Sequence, residues 1–331
     1  MKKNLSKRFD ETSADSEYTV ISQVAHMYYN LNMLQPEIAD KLYFSRSKVS
    51  RLLKRARELG IVEIKVRSIP GRTPPLERRL LETFPLKDAI VVESFMEGGG
   101  EGALDTVVDF AAIYVSELLR DHTTVGITRG RTVDQVVAKL RKLHECNLQV
   151  VQLMGSSTNT FLSAESRELV RRMISTFSAN AHFLNTPLYV DDIYAKKILL
   201  DDPAIQGVFQ MMKQCSMILT GIGNLELQPN AQLGWYGYQN KRHLTELSQK
   251  GAVGSICAQY FDRQGRYIPC EWNDKCMAMP YEDILHNDMT VIVAQGQQKI
   301  EPVLGALRGK LINVLITDAP TAAGILKENR K

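Results

Sequence analysis

The chain has 331 residues, 44% of them hydrophobic, which suits two domains with at least one large core. Its net charge of +4 is uneven, because residues 1–72 contain 14 basic and 8 acidic side chains and the remainder carries −2. The sequence lacks an apolar run long enough to cross a bilayer and an apolar signal-peptide segment at its basic N-terminus. We therefore expect no membrane contact, and a basic module attached to a near-neutral body is typical of nucleic-acid binding.

The five cysteines are scattered along the chain and form no CxxC pair. The histidines show no metal-ligand spacing either. This pattern is typical of reduced thiols in a cytoplasmic protein, so we expect no structural disulfide and no metal site.

The N-terminal segment 1–17 is polar, and we expect it to be a disordered tail. A helix-turn-helix DNA-binding domain is predicted over residues 18–69. Its predicted elements are helices at Val20–Leu31 and Glu37–Leu42, a turn at Tyr43-Phe44, a basic helix at Arg46–Arg57, and a strand at Ile61–Val66.

The basic helix has six cationic residues and no acidic one. An apolar stripe of helical spacing runs through it at Val49, Leu52, Leu53, Ala56 and Leu59, so that one face packs and the other is cationic. Ser45 is the predicted N-cap and Gly60 the predicted C-cap. This cationic face could bind in a DNA groove, or it could simply be exposed to solvent. The predicted succession of helix, turn, helix and strand favours DNA binding. The predicted DNA-binding residues are Gln35, Ser45, Arg46, Ser47, Lys48, Ser50, Arg51, Lys54 and Arg55.

A Pro/Gly-rich stretch at residues 70–76 is the predicted linker to a second domain at residues 77–331. Six short apolar runs predict strands at Ala89–Val92, Thr124–Ile127, Gln149–Leu153, Met217–Thr220, Thr290–Ala294 and Val314–Thr317. Helices are predicted between them, among others at Leu104–Arg120, Thr132–Leu143 and Ala164–Thr176. Strands that alternate with helices indicate an α/β fold with a parallel sheet covered on both faces.

Three predicted strands end in loops of small and polar residues. These loops are VGITRGRT at 125–132, MGSSTNT at 154–160 and TGIGN at 220–224. Thr132 is a candidate helix cap, and Arg129 and Arg131 with free backbone N–H groups attract anions. Each loop alone is also compatible with an ordinary turn, but together they favour a site for a small, hydroxylated, anionic ligand.

Asp262 and Lys299 each have two interpretations. Asp262 could accept hydrogen bonds from ligand hydroxyls, or it could serve the D-x-x-G turn in which it stands. Lys299 could pair with a phosphate, or it could be a solvated lysine.

An enzyme is the less favoured class. The six histidines are scattered without a relay to Asp or Ser, and the chain has neither a P-loop nor GxGxxG after a strand. The adjacent acids Asp201-Asp202 precede a proline and predict a helix start. We therefore expect no catalytic residues and no cofactor.

Five segments together resemble the SorC family of sugar-responsive bacterial regulators, also called DeoR/SorC, over residues 18–327. They are EIADKLYFSRSKVSRLLKRARELGIVEIKV, VGITRGRTV, MILTGIGN, GAVGSICAQYFDRQGRYI and LRGKLINVLITDAPTAAGIL. The resemblance implies an N-terminal helix-turn-helix and a larger, Rossmann-like effector-binding domain similar to sugar-phosphate isomerases of the NagB/RpiA type. Leu34 stands where the family often has a Thr N-cap, and Ser255 where many members have Asp.

The resemblance also implies a ligand, partners and site residues. Family members bind a phosphorylated sugar or a related metabolite, usually form tetramers, and change their affinity for operator DNA. The predicted effector-binding residues, from motif position and loop chemistry, are Thr128, Arg129, Gly130, Arg131, Thr132, Gly155, Ser156, Ser157, Gly221, Gly223, Asp262 and Lys299.

The resulting hypothesis is a cytoplasmic, homo-oligomeric transcriptional regulator, most often a repressor in this family, of a carbohydrate-catabolism operon. Its expected partners are double-stranded operator DNA and a phosphorylated sugar. The alternative is a sugar-phosphate isomerase or deaminase of the same fold.

Overall fold

The computed structural model describes residues 14–62, 71–93, 101–156, 165–225 and 241–330. The chain divides into two compact units, Met1–Ser68 and Ile69–Lys331.

The first unit is helical. Helix α1 spans Ala14–Ala25 and continues into a π-helical turn at His26–Asn30, and α2 and α3 span Gln35–Leu42 and Arg46–Glu58. The prediction of a disordered tail up to residue 17 was wrong for its last four residues, which form the first turn of α1. The segment Ala-Asp-Ser-Glu suits a helix N-terminus, because early acidic residues favour the helix dipole.

The core of the first unit lies between these three helices. Val49, Leu53 and Ala56 are buried on one face of α3, as the apolar stripe predicts, and they pack against residues of α1 and α2 such as Val24 and Ile38. The stripe does not extend to Leu59, which is 43% exposed at the C-cap.

Helix α3 ends in a Schellman-type turn. Gly60 is left-handed (φ +69°) one residue past the C-cap, and the N–H of Ile61 donates to the Ala56 carbonyl at 2.9 Å. The predicted strand Ile61–Val66 is not seen at its first two residues, which form a bend, and its other residues lie outside the described part.

The second unit contains strands β1–β10 and helices α4–α14. The strands are β1 Asp88–Val92, β2 Thr124–Ile127, β3 Gln149–Gln152, β4 Asn180–His182, β5 Met217–Thr220, β6 Gly223–Asn224, β7 Ala252–Ile256, β8 Gln259–Asp262, β9 Thr290–Val293 and β10 Val314–Asp318. The helices are α4 Pro74–Thr83, α5 Glu101–Leu118, α6 Arg131–Lys139, α7 Ser166–Phe177, α8 Ile193–Asp201, α9 Pro203–Lys213, α10 Lys241–Gln249, α11 Glu271–Lys275, α12 Tyr281–Leu285, α13 Ile300–Arg308 and α14 Ala319–Glu328.

Seven strands form one parallel sheet in the order β1-β10-β9-β5-β2-β3-β4. All six predicted strands belong to it. Alternate residues point to opposite faces, so that Val91 packs into one core with α9, α13 and α14, and Ile90 and Val92 pack into a second core with α5, α6 and α7. The prediction of an α/β fold with a sheet covered on both faces is confirmed.

A second sheet was not predicted. Strands β6, β7 and β8 pair in an antiparallel manner, with Gly223 opposite Ser255. At two residues, β6 is too short to give a sequence pattern, and so is the three-residue edge strand β4.

The predicted linker was wrong in most of its length. The N–H of Thr73 donates to the Val91 carbonyl at 2.8 Å, so this stretch is tied to β1. Pro74 and Pro75 begin α4, because proline suits the first turn of a helix, where its missing N–H costs no hydrogen bond. Helix α6 is also shorter than predicted and ends at Lys139, since Leu140 is extended.

Among the described helices, we find none long and apolar enough to span a membrane.

Candidate functional site

The polar face of α3 is exposed where the sequence predicts a DNA contact. Of the nine predicted residues, Gln35 and Lys48 are half-buried. The other seven are exposed, namely Ser45, Arg46, Ser47, Ser50, Arg51, Lys54 and Arg55.

The cations on this face are weakly paired. Lys54 and Arg55 approach Glu58 at 4.0 and 3.2 Å, and the Lys48 ammonium lies 4.2 Å from the centre of the Phe44 ring. Exposed ion pairs of this kind contribute little, so the face keeps its positive charge. Arg46 and Arg51 have no ion-pair partner among the described residues.

Side-chain capping holds both helices. Ser45 Oγ accepts a hydrogen bond from the Lys48 N–H at 3.2 Å and lies 3.0 Å from Ser47 Oγ. Leu34 has no oxygen with which to cap α2, but its own N–H donates to a Glu37 carboxylate oxygen at 2.8 Å. Leu34 cannot supply the side-chain cap that a threonine would give at this position. Glu37 nevertheless supplies the other half of a capping box, the carboxylate that accepts from the N-cap N–H.

Tyr43 was predicted only as a turn residue. Its backbone is left-handed, with φ +56° and ψ +37°, and its side chain is 90% exposed. This conformation costs a residue with a Cβ about 1 kcal/mol or more. Composition and periodicity gave no signal for it, since glycine or asparagine is the usual occupant.

In the second unit, the sheet reverses its strand order between β2 and β5. The chain runs outward from β2 through β3 to β4, and β5 then lies on the other side of β2. Ligands of open α/β sheets bind at such a switch point, outside the carboxyl ends of the strands. The loops that start at Thr128 and at Gly221 flank this point.

These two loops contact each other. The Thr128 hydroxyl donates to Thr220 Oγ1 at 2.8 Å, and both residues are buried. A Cβ on Gly130 or on Gly221 would lie 3.7 or 3.8 Å from the same Val133 methyl. The structure thus brings together two predicted loops, linked by a threonine, Thr220, that was not singled out.

The Lys299 side chain also reaches the loop after β5. Its ammonium donates to the Ile222 carbonyl at 2.7 Å, in the loop after β5. An ammonium group has three donors, and this bond uses one of them to hold the group beside the switch point.

The N-terminus of α6 opens on this crevice without a side-chain cap. Gly130, not Thr132, is the N-cap, and no side chain among the described residues caps the helix there. The φ of Gly130, +151°, is one that L side chains rarely adopt. The prediction that Thr132 caps the helix was therefore wrong, and the exposed Arg131 stands at the first helical residue.

Arg129 is not free for an anion. Its guanidinium forms an ion pair with Glu165, and both side chains are only 12% exposed. Burial lowers the pKa of Arg129 to about 10, against the opposing effect of Glu165. No sequence pattern predicts this pairing, because Glu165 lies 36 residues from Arg129, beside the start of α7.

The loop after β3 contributes less than predicted. Gly155 is buried, and a Cβ there would lie 2.4 Å from the Pro187 carbonyl oxygen. The glycine therefore lets two backbone segments of the protein pack closely together. Ser156 is half-buried, with its N–H donating to the Thr186 carbonyl at 2.9 Å. Ser157 lies outside the described residues.

Two further predicted residues serve the antiparallel sheet. Gly223 pairs with Ser255, and a Cβ there would lie 2.4 Å from the Ser255 hydroxyl. The Asp262 carboxylate accepts from the N–H groups of Gln264 and Arg266 at 2.8 and 2.9 Å and from Arg266 Nε at 2.9 Å.

The Asp262 carboxylate therefore stabilises the D-x-x-G turn in which it stands, which is the second of the two interpretations given for it. Burial would raise its pKa, but these hydrogen bonds from Arg266 and Gln264 lower it.

Within the described ranges, no group of three or more His, Cys, Asp and Glu side chains could hold a metal ion. Asp202 accepts from the N–H groups of Ala204 and Ile205 at 2.8 and 3.2 Å, and thus caps α9 as predicted.

Comparison with known proteins identifies the family. The model described as "Putative sugar-binding domain" matches residues 71–327, which include the whole parallel sheet and every described residue of the switch-point crevice. The deoxyribonucleoside regulator of Bacillus subtilis is 30% identical over 92% of this chain and 96% of its own. The chain belongs to the SorC/DeoR family of sugar-binding transcriptional regulators.

Two further comparisons agree with this family. The sorbitol operon regulator of Klebsiella pneumoniae is 26% identical over 93% of this chain and 98% of its own. A crystal structure titled as full-length SorC from Klebsiella pneumoniae superimposes with a TM-score of 0.74 at 25% identity, over 95% of this chain and 100% of that one.

The relatives decide between the two functional interpretations. They are transcriptional regulators and not enzymes, so the regulator prediction is confirmed and the isomerase or deaminase alternative is set aside. Regulators of the SorC/DeoR family bind DNA and sugar effectors.

Proposed function

We propose that this protein controls a carbohydrate-catabolism operon, most simply as a repressor, and that a phosphorylated sugar sets its affinity for operator DNA. The observation that carries the proposal is the crevice between β2 and β5. The N-terminus of α6 lies at this crevice with Gly130 as its N-cap, and the Lys299 ammonium is held at the Ile222 carbonyl in the loop after β5. The same chain exposes a cationic face on α3.

The DNA-binding unit is residues 18–69, and α3 enters the major groove. Arg46, Ser47, Ser50 and Arg51, on its first two turns, meet base edges and phosphates. Gln35, Ser45, Lys48, Lys54 and Arg55 contact or orient toward the backbone. Supporting this, the apolar residues of α3 are buried in the unit's own core, so its polar face remains available.

The effector site is in residues 77–331. Backbone N–H groups of Gly130, Arg131 and Thr132 hold the phosphoryl group at the α6 N-terminus, with Lys299 as the counter-charge. Thr128, Gly221, Ser156 and Ser157 complete the crevice near the sugar hydroxyls. Arg129 acts through its ion pair with Glu165, and we assign Gly155, Gly223 and Asp262 to the framework.

The protein acts in the cytoplasm as a homodimer or homotetramer. A two-fold dimer would place two α3 helices in successive major grooves, about 34 Å apart. Gel filtration with light scattering tests this directly, and a monomer at operator-binding concentrations would contradict it.

A retention experiment tests DNA binding. Full-length protein is mixed with labelled fragments from upstream of its own gene, at 50 and at 200 mM salt. We expect retention that weakens about 10³-fold or more between the two salts if six or more phosphates are contacted. Absence of retention at both salts would contradict the proposal.

A thermal-shift panel tests the effector. Pentose and hexose phosphates are compared with the same sugars without phosphate. A phosphorylated effector at 100 times its Kd adds about 2.7 kcal/mol, which raises the melting temperature by roughly 5–11 °C. A shift with the free sugar as large as that with its phosphate would contradict the assignment of the α6 N-terminus and Lys299.

A further inference from the structure

Tyr43 combines two properties that are unusual in one residue. It is the most exposed large apolar side chain of the described residues, and its backbone is left-handed. It occupies the turn between α2 and α3, where its N–H and that of Phe44 close the last turn of α2 on the carbonyls of Asp40 and Ala39.

The turn does not require a tyrosine. Glycine takes a left-handed backbone without a Cβ penalty, and asparagine takes it at lower cost than other residues. Burial does not offset the strain either, because only a tenth of the Tyr43 side chain is covered. Strained residues that gain nothing from local packing are concentrated at functional sites.

The position of Tyr43 indicates what it touches. It lies two residues before Ser45, the N-cap of α3, so the two Cα atoms are at most about 7 Å apart. Ser45, Arg46 and Ser47 are exposed at the same end of α3. Arg46 supplies a cation at this end of α3, whereas Tyr43 supplies a neutral hydroxyl donor and a flat apolar ring.

We propose that Tyr43 is a further DNA-binding residue: its phenolic O–H donates to a phosphate oxygen of the operator, and its ring lies against the adjoining deoxyribose. The inference rests on the proposed function of α3. A DNA backbone offers an acceptor oxygen next to an apolar sugar face, which is the chemistry that this side chain matches.

Substitution by glycine separates strain from function. In Tyr43→Gly the left-handed turn is relaxed, so we expect a melting temperature within about 2 °C of wild type or higher. Affinity for an operator fragment should nevertheless fall about five- to tenfold, the loss of one hydrogen bond and its ring contact. Tyr43→Phe keeps the ring and should lose roughly threefold.

The salt dependence gives a readout that a general loss of fold would not reproduce. Because tyrosine is uncharged, the slope of log Kd against log salt should match wild type in Tyr43→Gly, in contrast with substitution of a lysine or arginine that contacts a phosphate. The matched control is Tyr18→Ala, which removes another exposed tyrosine of the same unit and should leave Kd unchanged.

Wild-type affinity of the Tyr43→Gly variant in vitro would overturn the inference while leaving the proposed function intact. If that variant also lost regulation in cells, a protein partner and not DNA would be the ligand of Tyr43, which equally overturns it. A wild-type protein that retains no DNA would overturn the proposed function and the inference together.

Discussion

Arg129 has a different role in the structure from the one that its sequence motif predicts. Its place in a loop of glycines and threonines predicts an anion-binding arginine, yet its guanidinium pairs with Glu165 in a mostly buried setting. A buried pair of this kind contributes little net stability, but removing one partner leaves the other as an unpaired buried charge.

We predict that Arg129→Met destabilises the second unit by about 3 kcal/mol, since Glu165 loses its counter-charge. In a unit of this size the melting temperature should fall by roughly 6–12 °C. Differential scanning calorimetry of the full chain measures the change.

The double variant Arg129→Met, Glu165→Met should recover most of that loss, because neither charge is then left buried. Arg171→Met removes an exposed arginine of α7 and is the matched control, with a melting temperature close to wild type. Equal melting temperatures for the single and double variants would show that the pair is not coupled.

Lys299 is the residue on which the charge of the effector site depends. We predict that Lys299→Met weakens binding of a phosphorylated effector by roughly 10–100-fold, the loss of one charged hydrogen bond. Isothermal titration calorimetry measures the change, with substitution of the exposed Lys213 at the end of α9, Lys213→Met, as the control. An unchanged Kd would remove Lys299 from the site.

At the scale of elements, the parts predicted from sequence are those with a strong pattern. Six buried apolar runs gave six strands of the parallel sheet, because buried strands are continuous in their hydrophobicity. Residues Asn180–His182 were not predicted as a strand. They are only three residues long and mostly polar, and they form a strand because they pair with β3. Pro74 and Pro75 were assigned to a linker, but proline is equally common in linkers and in the first turn of a helix. Only the packing of α4 shows that they begin a helix.

Helix α2 has a cap that can be completed. We predict that Leu34→Thr stabilises α2 by about 0.5–1 kcal/mol, because a hydroxyl at the N-cap can accept from the first turn. Leu34 is 64% exposed, so little packing is lost. Hydrogen-exchange mass spectrometry should show slower exchange in peptides of α2 by about two- to fivefold.

Glu37→Ala should have the opposite effect, since it removes the side-chain oxygen that accepts from the Leu34 N–H. Faster exchange at α2 in Leu34→Thr than in wild type would contradict this account of the cap.

At the scale of the whole molecule, the contacts that sequence could not predict are the long-range ones. The Thr128–Thr220 hydrogen bond and the Arg129–Glu165 ion pair join residues 92 and 36 positions apart. Loop chemistry located the crevice, because parallel strands gather their carboxyl ends at one edge, but it could not assign a partner to each side chain.

The two units are expected to be coupled thermodynamically. An effector can change DNA affinity only by its differential affinity for the two states of the protein, and the coupling is reciprocal. We predict that saturating operator DNA changes effector Kd by the same factor, within roughly 5–150-fold, by which saturating effector changes operator Kd. Calorimetric and anisotropy titrations measure the two factors, and a factor of one in both titrations would contradict coupling between effector and DNA.

In the proposed function, the exposed face of α3 binds operator DNA. The most direct measurement is the slope of log Kd against log salt, from anisotropy titrations of an operator fragment with wild type, Arg46→Gln, Arg51→Gln and the control Lys213→Gln. We predict that each α3 substitution reduces the magnitude of the slope by about 0.9, one phosphate contact, while the control leaves it unchanged. Slopes identical to wild type in both α3 variants would contradict the claim.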